Sequence, residues 1–483
     1  MRKEVFIIIN TIIGAAKCLC LPVVFTLFIA VCFASSACNK IIEIDPPSNS
    51  IVNEVQFSDS LNASSAILGL YGVLNSVNSP FASGNMTAVM GAYSDEFGVT
   101  TTDDEAYPFY IGLLDPRTSG ILSFFWEPIY NYIYQSNVII EEVEKSKGIS
   151  EKNKAQFIGE AKFLRAYCYS YLVNLYGEVP LILTSKYKNN MSVPKSQISA
   201  VLDIVVQDLR DAYELLPDGY DWLQGQRTRA NRFSAAALLS RMYLYKSDWS
   251  NAEKFASILI DQKDIFGLAD NCKNAFDPNS KEAILQFFSD PNLPPYNLTL
   301  EGVKLVPRAS FIRFFLRSEF VESLLPDDLR KQSWIDSIQI SGEKKYYARK
   351  YRLGAGMGTP GGVVPQFYTL LRMGEQLLIR AESRMKLKNF SGAKADLDQI
   401  RFRSGLGEIE DESASGIERA LHYERMAELM FEGGHRWFDL KRWGMADSVN
   451  SQIKNNWKPY MKVFPLPALE IQRNPSLVQN DGY

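Results

Sequence analysis

Histidine is nearly absent from this 483-residue chain: there are two, His422 and His435. Cysteine is sparse, and four of the six lie within the first 38 positions. No Cys-x-x-Cys, HExxH, P-loop or G-x-S-x-G motif occurs. Zinc needs three or four His, Cys, Asp or Glu ligands at suitable spacing, so neither a metal nor another cofactor is expected. A disulfide framework is excluded as well, because only Cys168 and Cys272 remain to pair in the body of the chain. Net charge is −3, which leaves no basic field to attract nucleic acid. Beyond residue 38 no run is apolar enough to span a bilayer. The Gly-rich run 354–362 is followed by no helical pattern that would aim N–H groups at a phosphate, so it reads as a flexible loop.

The first 37 residues read as a leader. Arg2, Lys3 and Lys17 precede an apolar run that ends in the small residues Ser35, Ser36 and Ala37 and then Cys38. That order fits a lipoprotein signal peptide over 1–37, with Cys38 becoming the first, lipidated residue. A transmembrane anchor is the alternative for the same run. Removing it leaves 49 basic and 54 acidic side chains. Residues 38–57 are polar and Pro-containing, a tether.

The rest is dominated by helical periodicity. A first helix is capped by Asp59 or Ser60. Ile129, Ile133, Asn137 and Ile140 share one face. Phe157, Ala161, Leu164, Cys168, Tyr171, Leu172 and Leu175 form a long stripe ended by Gly177 and Pro180. Two segments repeat each other across a turn, "KSDWSNAEKF" and "LKNFSGAKAD". Trp249 matches Phe390 and Ala252 matches Ala393, a tetratricopeptide-like pattern without its regular period. The fold class is therefore mostly helical, all-α: a divergent tetratricopeptide-like helix-pair scaffold with long, irregular loops. Those loops are residues 91–120, 287–320 and 344–368, rich in Pro, Gly and aromatics.

The stretch "RMAELMFEGGHRWFDLKRWG", 425–444, packs a histidine among acids, arginines and two tryptophans. It reads as a helix stopped by Gly433 and Gly434, then a short second helix. Arg436 and Arg442 are expected to reach back to Glu424, Glu428 or Glu432. No nucleophile stands beside His435, so a helical corner is the better account than an active site. The acid pair Asp103 and Asp104 offers two carboxylates, but acid pairs are common on solvated loops. No catalytic residue is assigned.

These motifs, together with "EAKFLRAYCYSYLVNLYGEVPLI", "WEPIYNYIYQSNVIIEEV" and the C-terminal "FPLPALEIQRNPSLVQNDGY", resemble the RagB/SusD family over nearly the whole chain beyond Cys38. The resemblance implies a lipid-anchored outer-membrane protein facing the cell exterior. Its partner would be a SusC-like TonB-dependent transporter, and its ligand a glycan or other nutrient. A peptide-capturing member is the alternative, with a lipid-anchored glycoside hydrolase behind it. The implied layout is an N-terminal SusD-like helical region at 58–285 and a C-terminal RagB/SusD region at 286–483. The matched motifs are structural and assign no ligand residues. Sugars present C–H faces and hydroxyl edges, which suit exposed rings beside polar groups. Trp126, Trp249, Trp437 and Trp443 lie in helix or turn patterns and are expected in the core. The ligand-binding candidates are then Tyr93, Asp95, Tyr107, Tyr296, Trp334, Tyr346, Arg349 and Tyr351.

Overall fold

Short polar side chains set where the helices begin. In the computed structural model, which describes residues 56–76, 81–102, 104–309, 311–364 and 366–483, Asp59 caps α1 (Ser60–Leu74) by accepting from the N–H groups of Leu61 and Asn62. Helices α2 (Met86–Tyr93), α3 (Tyr107–Ile111) and α4 (Glu127–Lys145) follow. Ser150 caps α5 (Glu151–Tyr176), and α6 spans Ile198–Leu215. Asn231 and Ser234 make a reciprocal capping box at α7 (Arg232–Tyr245). The signal peptide and Cys38 lie outside the described residues, as does Asp103.

The repeated turns are built alike. Asp248 caps α8 (Trp249–Ile260), and Asn389 caps a helix at Phe390–Arg403 in the same way. Before each cap stands a residue with positive φ, Ser247 at 57° and Lys388 at 66°. Ala252 and Ala393 are fully buried, which lets each pair of helices approach closely. Trp249 and Phe390 are half-buried over them.

Four helices complete the part of the scaffold that matters here: α9 (Leu300–Leu305), α10 (Leu329–Trp334), α11 (Met373–Lys386) and α12 (Phe390–Arg403). Each helix from α4 to α8 packs on the next in chain order, and α8 then packs on α11. The run of helices therefore continues across the 261–372 insertion. Helix α13 (Ala414–Leu429) closes it against α11 and α12. Residues Phe57–Tyr483 form one compact unit whose main core draws on both the 58–285 and 286–483 regions. Every residue of the α5 stripe is buried, and burial pushes the Cys168 thiol up, so it behaves as a small hydrophobe. Cys168 and Cys272 are unpaired. Among the described residues no helix is long and apolar enough to cross a membrane.

The three stretches expected as irregular loops instead supply a sheet. Strands β1 (Phe97–Val99), β2 (Ala283–Phe287), β3 (Phe314–Leu316), β4 (Ile335–Ile340), β5 (Glu343–Ala348) and β6 (Tyr368–Arg372) form two antiparallel sheets, ordered β1-β3-β5-β4 and β2-β6. In the first, Gly98 faces Phe315 and Leu316 faces Tyr346.

The histidine corner is structural, and its ion pairs differ from those expected. Helix α14 (His435–Arg442) starts at Gly434, whose φ of 76° favours glycine. Arg436 binds Asp95 bidentately, and Arg442 binds Glu382 and Asp439. Glu428 and Glu432 are held by Arg372 instead, with Lys350 on Glu432 and Arg403 on Glu428. Glu424 pairs with Arg330 and Arg401. Burial pulls the His435 imidazole down to about 4, so it is neutral at neutral pH.

Candidate functional site

Arginine and phenylalanine alternate along one short segment, and the backbone turns that alternation into two faces. Ile312, Phe314 and Leu316 point into the core at 4% exposure or less. Phe311, Arg313, Phe315 and Arg317 take the other face, as the period of two in a strand requires. The chain enters this segment through a tight turn. Arg308 N–H donates to Phe311 O at 3.0 Å, and Phe311 N–H donates back to Arg308 O at 2.9 Å. Ala309 makes the turn with φ of 51°. A cation and a ring that is 53% exposed are thereby set side by side.

Arg308, Phe311 and Arg313 form one wall of a groove of about 330 Å³. Leu300, Val303 and Lys304 of α9 make another, and Val306 and Ala355 complete it. That volume lies within the ~300–1,000 Å³ range of small-ligand sites. The walls are pinned from behind. A Cβ on Gly302 would lie 2.1 Å from Leu353 O, so the 353–356 segment rests directly on α9. Asn297 Nδ2 donates to Val363 O, and Thr359 N–H donates to Asn297 Oδ1. Arg313 grips Asp104 with two nitrogens, at 2.5 and 2.9 Å, and Asp104 in turn accepts from Ala106 N–H. Asp104 and Ala106 are thereby tied to the residue that leads into β3.

On the outer face of the sheet Phe315 lies flat across Gly98. A Cβ on Gly98 would fall 2.2 Å from Phe315 Cζ. Lys345 Nζ sits 5.0 Å from the same ring, and the Arg317 guanidinium lies 4.8 Å from the Tyr110 ring. The groove and this face share Arg313.

Two titratable groups lie in and under the groove. Burial lifts the Glu301 carboxyl to about 8, against the Gly84 N–H that donates to Oε1 at 2.6 Å. Its Oε2 has no hydrogen-bond partner among the described residues, as suits a protonated acid. Burial also pulls the Lys304 ammonium down to about 8. Because the folded-state value of Glu301 is raised, the native chain holds an extra proton between the ordinary carboxylate range and about pH 8. That group therefore loses stability as pH rises through this window. Glu301→Gln cannot ionise, so its melting temperature should gain on the parent's as pH goes from about 5 to 9. The upper limit is about 1.4 kcal/mol per pH unit crossed, and thermal melts of both proteins across that range check it. A constant difference would refute the burial argument.

The structure separates the sequence-based candidates. Tyr93 is in α2, fully buried between Trp437 and Phe464, with its hydroxyl donating to Met461 O. Trp334 ends α10, buried, its Nε1 donating to Cys272 O and its ring 4.0 Å from Lys350 Nζ. Tyr351 is buried and accepts from Thr369 N–H. These three are core residues, not an exposed platform. Asp95 is held by Arg436. Tyr107 is half-buried beside Tyr110 on α3, the helix that follows the Asp104 link. Tyr296, half-buried, lies in the segment that Asn297 stitches. Tyr346 and Arg349 belong to the β4–β5 hairpin, the first packed against the core, the second paired with Asp336. Lys304, Arg308, Phe311, Arg313 and Phe315 were not singled out from sequence. The signal for Phe311, Arg313 and Phe315 is the alternation in "FIRFFLR"; Lys304 and Arg308 lie outside it and carry no such signal.

A larger cleft of about 440 Å³ is lined by Trp126, Tyr130, Tyr187, Met191, Glu470 and Arg473. There Trp126 is buried with its Nε1 donating to Glu470 and the Tyr130 hydroxyl donates to Pro180 O, while the Tyr187 ring is exposed with no cation lining the cleft beside it but Arg473, paired with Glu470. The smaller groove sets an exposed ring beside Lys304 and Arg308, which make no ion pair with a described residue, so it is the stronger site.

Residues 113–244 match a family described as starch-binding and associating with the outer membrane, and residues 329–483 match the SusD family. Together these matches span more than half of the chain. SusD-like protein P25 of Formosa agariphila is 23% identical, over 95% of this chain and 98% of its own length. A laminarin-binding SusD-like protein of known structure is 25% identical with a TM-score of 0.74, covering 88% of this chain and all of that one. A SusD superfamily protein from Bacteroides vulgatus is 19% identical, with a TM-score of 0.75 over 88% of this chain and all of that one, and so shares the fold. With its helix-pair scaffold, its matched motifs and these relatives, the chain belongs to the SusD/RagB family.

Proposed function

We propose that this protein captures glycans at the outer face of the outer membrane and passes them to a SusC-like TonB-dependent transporter. The observation that carries the reading is the exposed Phe311 ring held beside Arg308 at the mouth of a preformed groove. A ring stacks on the C–H face of a sugar, and guanidinium N–H groups reach its hydroxyls. The likeness to a laminarin-binding protein supports the same ligand class. Tyr107, Tyr296, Tyr346 and Arg349, none of which lines the groove, are further candidate ligand contacts of this reading. Acylated Cys38 holds the body at the membrane. The protein binds and does not cleave its ligand, so incubation with oligosaccharides releases no new reducing ends.

The test is a binding screen by affinity electrophoresis and calorimetry, against laminarin, other polysaccharides and a peptide digest. Retardation by at least one glycan is the expected result. Phe311→Ala should then weaken binding about tenfold, the loss of one stacked ring in a desolvated site. Heat from peptides alone moves the protein to the peptide-capturing alternative.

A further inference from the structure

We infer that the groove is built for an acidic saccharide, one whose carboxylate or sulfate groups meet Arg308 and Lys304. This rests on the glycan reading and narrows it to a ligand class.

The walls carry three cations, Lys304, Arg308 and Arg313. Arg313 is neutralised by Asp104. Arg308 and Lys304 form no ion pair with any described residue. Three acids act on Lys304 through space without an ion pair: Glu301, on the buried side of α9 and engaged by Gly84, Asp104, already held by Arg313, and the exposed Glu105. The chain as a whole carries net charge −3, so two unpaired cations on one groove are a local feature and not the sampling of a basic surface.

Each cation is also placed. The stem of Lys304 lies against Gly84, where an added Cβ would come within 2.8 Å of its Cδ. Its ammonium is thus brought to the groove wall and partly stripped of water, which makes an arriving anion worth more than at an open surface. Arg308 is fixed by the turn to Phe311 and rests over the backbone of Gly356. A guanidinium offers a planar fork that matches carboxylate and sulfate oxygens, and beside it the Phe311 ring takes the apolar face of the same sugar. A neutral glycan would use the ring and offer the two cations hydroxyls only, with no opposite charge.

The experiment compares ligands that differ in charge alone. Purified protein is titrated with hexamers of galacturonate and guluronate, each against its full methyl ester, and with sulfated dextran against dextran. At least one free acid or sulfated chain is expected to bind about tenfold tighter than its neutral form at low salt. The gap should shrink as ionic strength rises. Arg308→Gln should close most of it by weakening the charged form several-fold more than the neutral form, which loses only hydrogen bonds to its hydroxyls. Preference for the uronates alone, or for the sulfated chain alone, identifies which anion the fork reads. If no charged chain outbinds its neutral form, the charge preference is overturned. Binding of laminarin or another neutral glycan in the same series would then leave the glycan role standing, whereas silence toward every saccharide would remove both.

Discussion

Arg372→Met is expected to destabilise the protein by about 3–5 kcal/mol, the loss that follows when one partner of a buried charge network is removed. Arg372 is 2% exposed at the start of α11. Its guanidinium bonds Glu432 through Nε and Nη2, both at 2.7 Å, Glu428 at 2.5 Å and Glu282 at 3.1 Å. Methionine fills much of the volume but leaves three carboxylates facing one another in a desolvated site. Lys350 and Arg403 remain to balance them only in part. Urea unfolding of both proteins measures the difference. Arg117→Met is the control: Arg117 and Asp115 are both exposed, and their loss should change little. If the two variants were equally stable, the network would not hold the fold together.

Gly98→Val is expected to lower glycan affinity by tenfold or more, with a stability cost below that of Arg372→Met. The strand has no room for a side chain there, because the Phe315 ring covers it at 2.2–2.8 Å. Valine must push that ring off the sheet, and overpacking of this kind costs about 1–3 kcal/mol. The displaced ring would carry Lys345 with it and crowd Arg313, which the groove and the sheet face share. Adding Phe315→Ala should return the stability, since the clash is gone, without returning the affinity. Calorimetry on the two single variants and the double checks this. Full affinity in Gly98→Val would show that the sheet face takes no part in binding.

The helix pairs were legible because their signals are local. A cap, a positive-φ residue, an aromatic and an alanine fall within six positions in both "SDWSNA" and "KNFSGA". The sheet was not, because its strands are short and one of its pairings joins positions over 200 apart, Val99 with Phe314. The alternation at 311–317 was visible, but it sat in a Pro-rich stretch of a helical chain and read as loop. The ion pairs were half legible. Acids and arginines in 424–442 announced a buried network, while the partners Arg330, Lys350, Arg372 and Asp95 came from distant segments. Trp334 and Tyr93 were misplaced for a single reason: residue type and flanking loop composition do not report burial. Trp334 lies over the Lys350 ammonium, a cover for the network that only the tertiary structure reveals.

The two faces of β3 have a consequence for how such a protein changes over generations. Ile312, Phe314 and Leu316 answer to the core, and on the glycan-binding proposal Phe311, Arg313, Phe315 and Arg317 answer to the ligand. Neighbouring codons therefore face different selection. A duplicated gene can rewrite the outer set, one substitution at a time, and acquire a new cargo while the inner set keeps the chain folding as before. The same division makes those four positions the natural place to randomise when a different cargo is wanted.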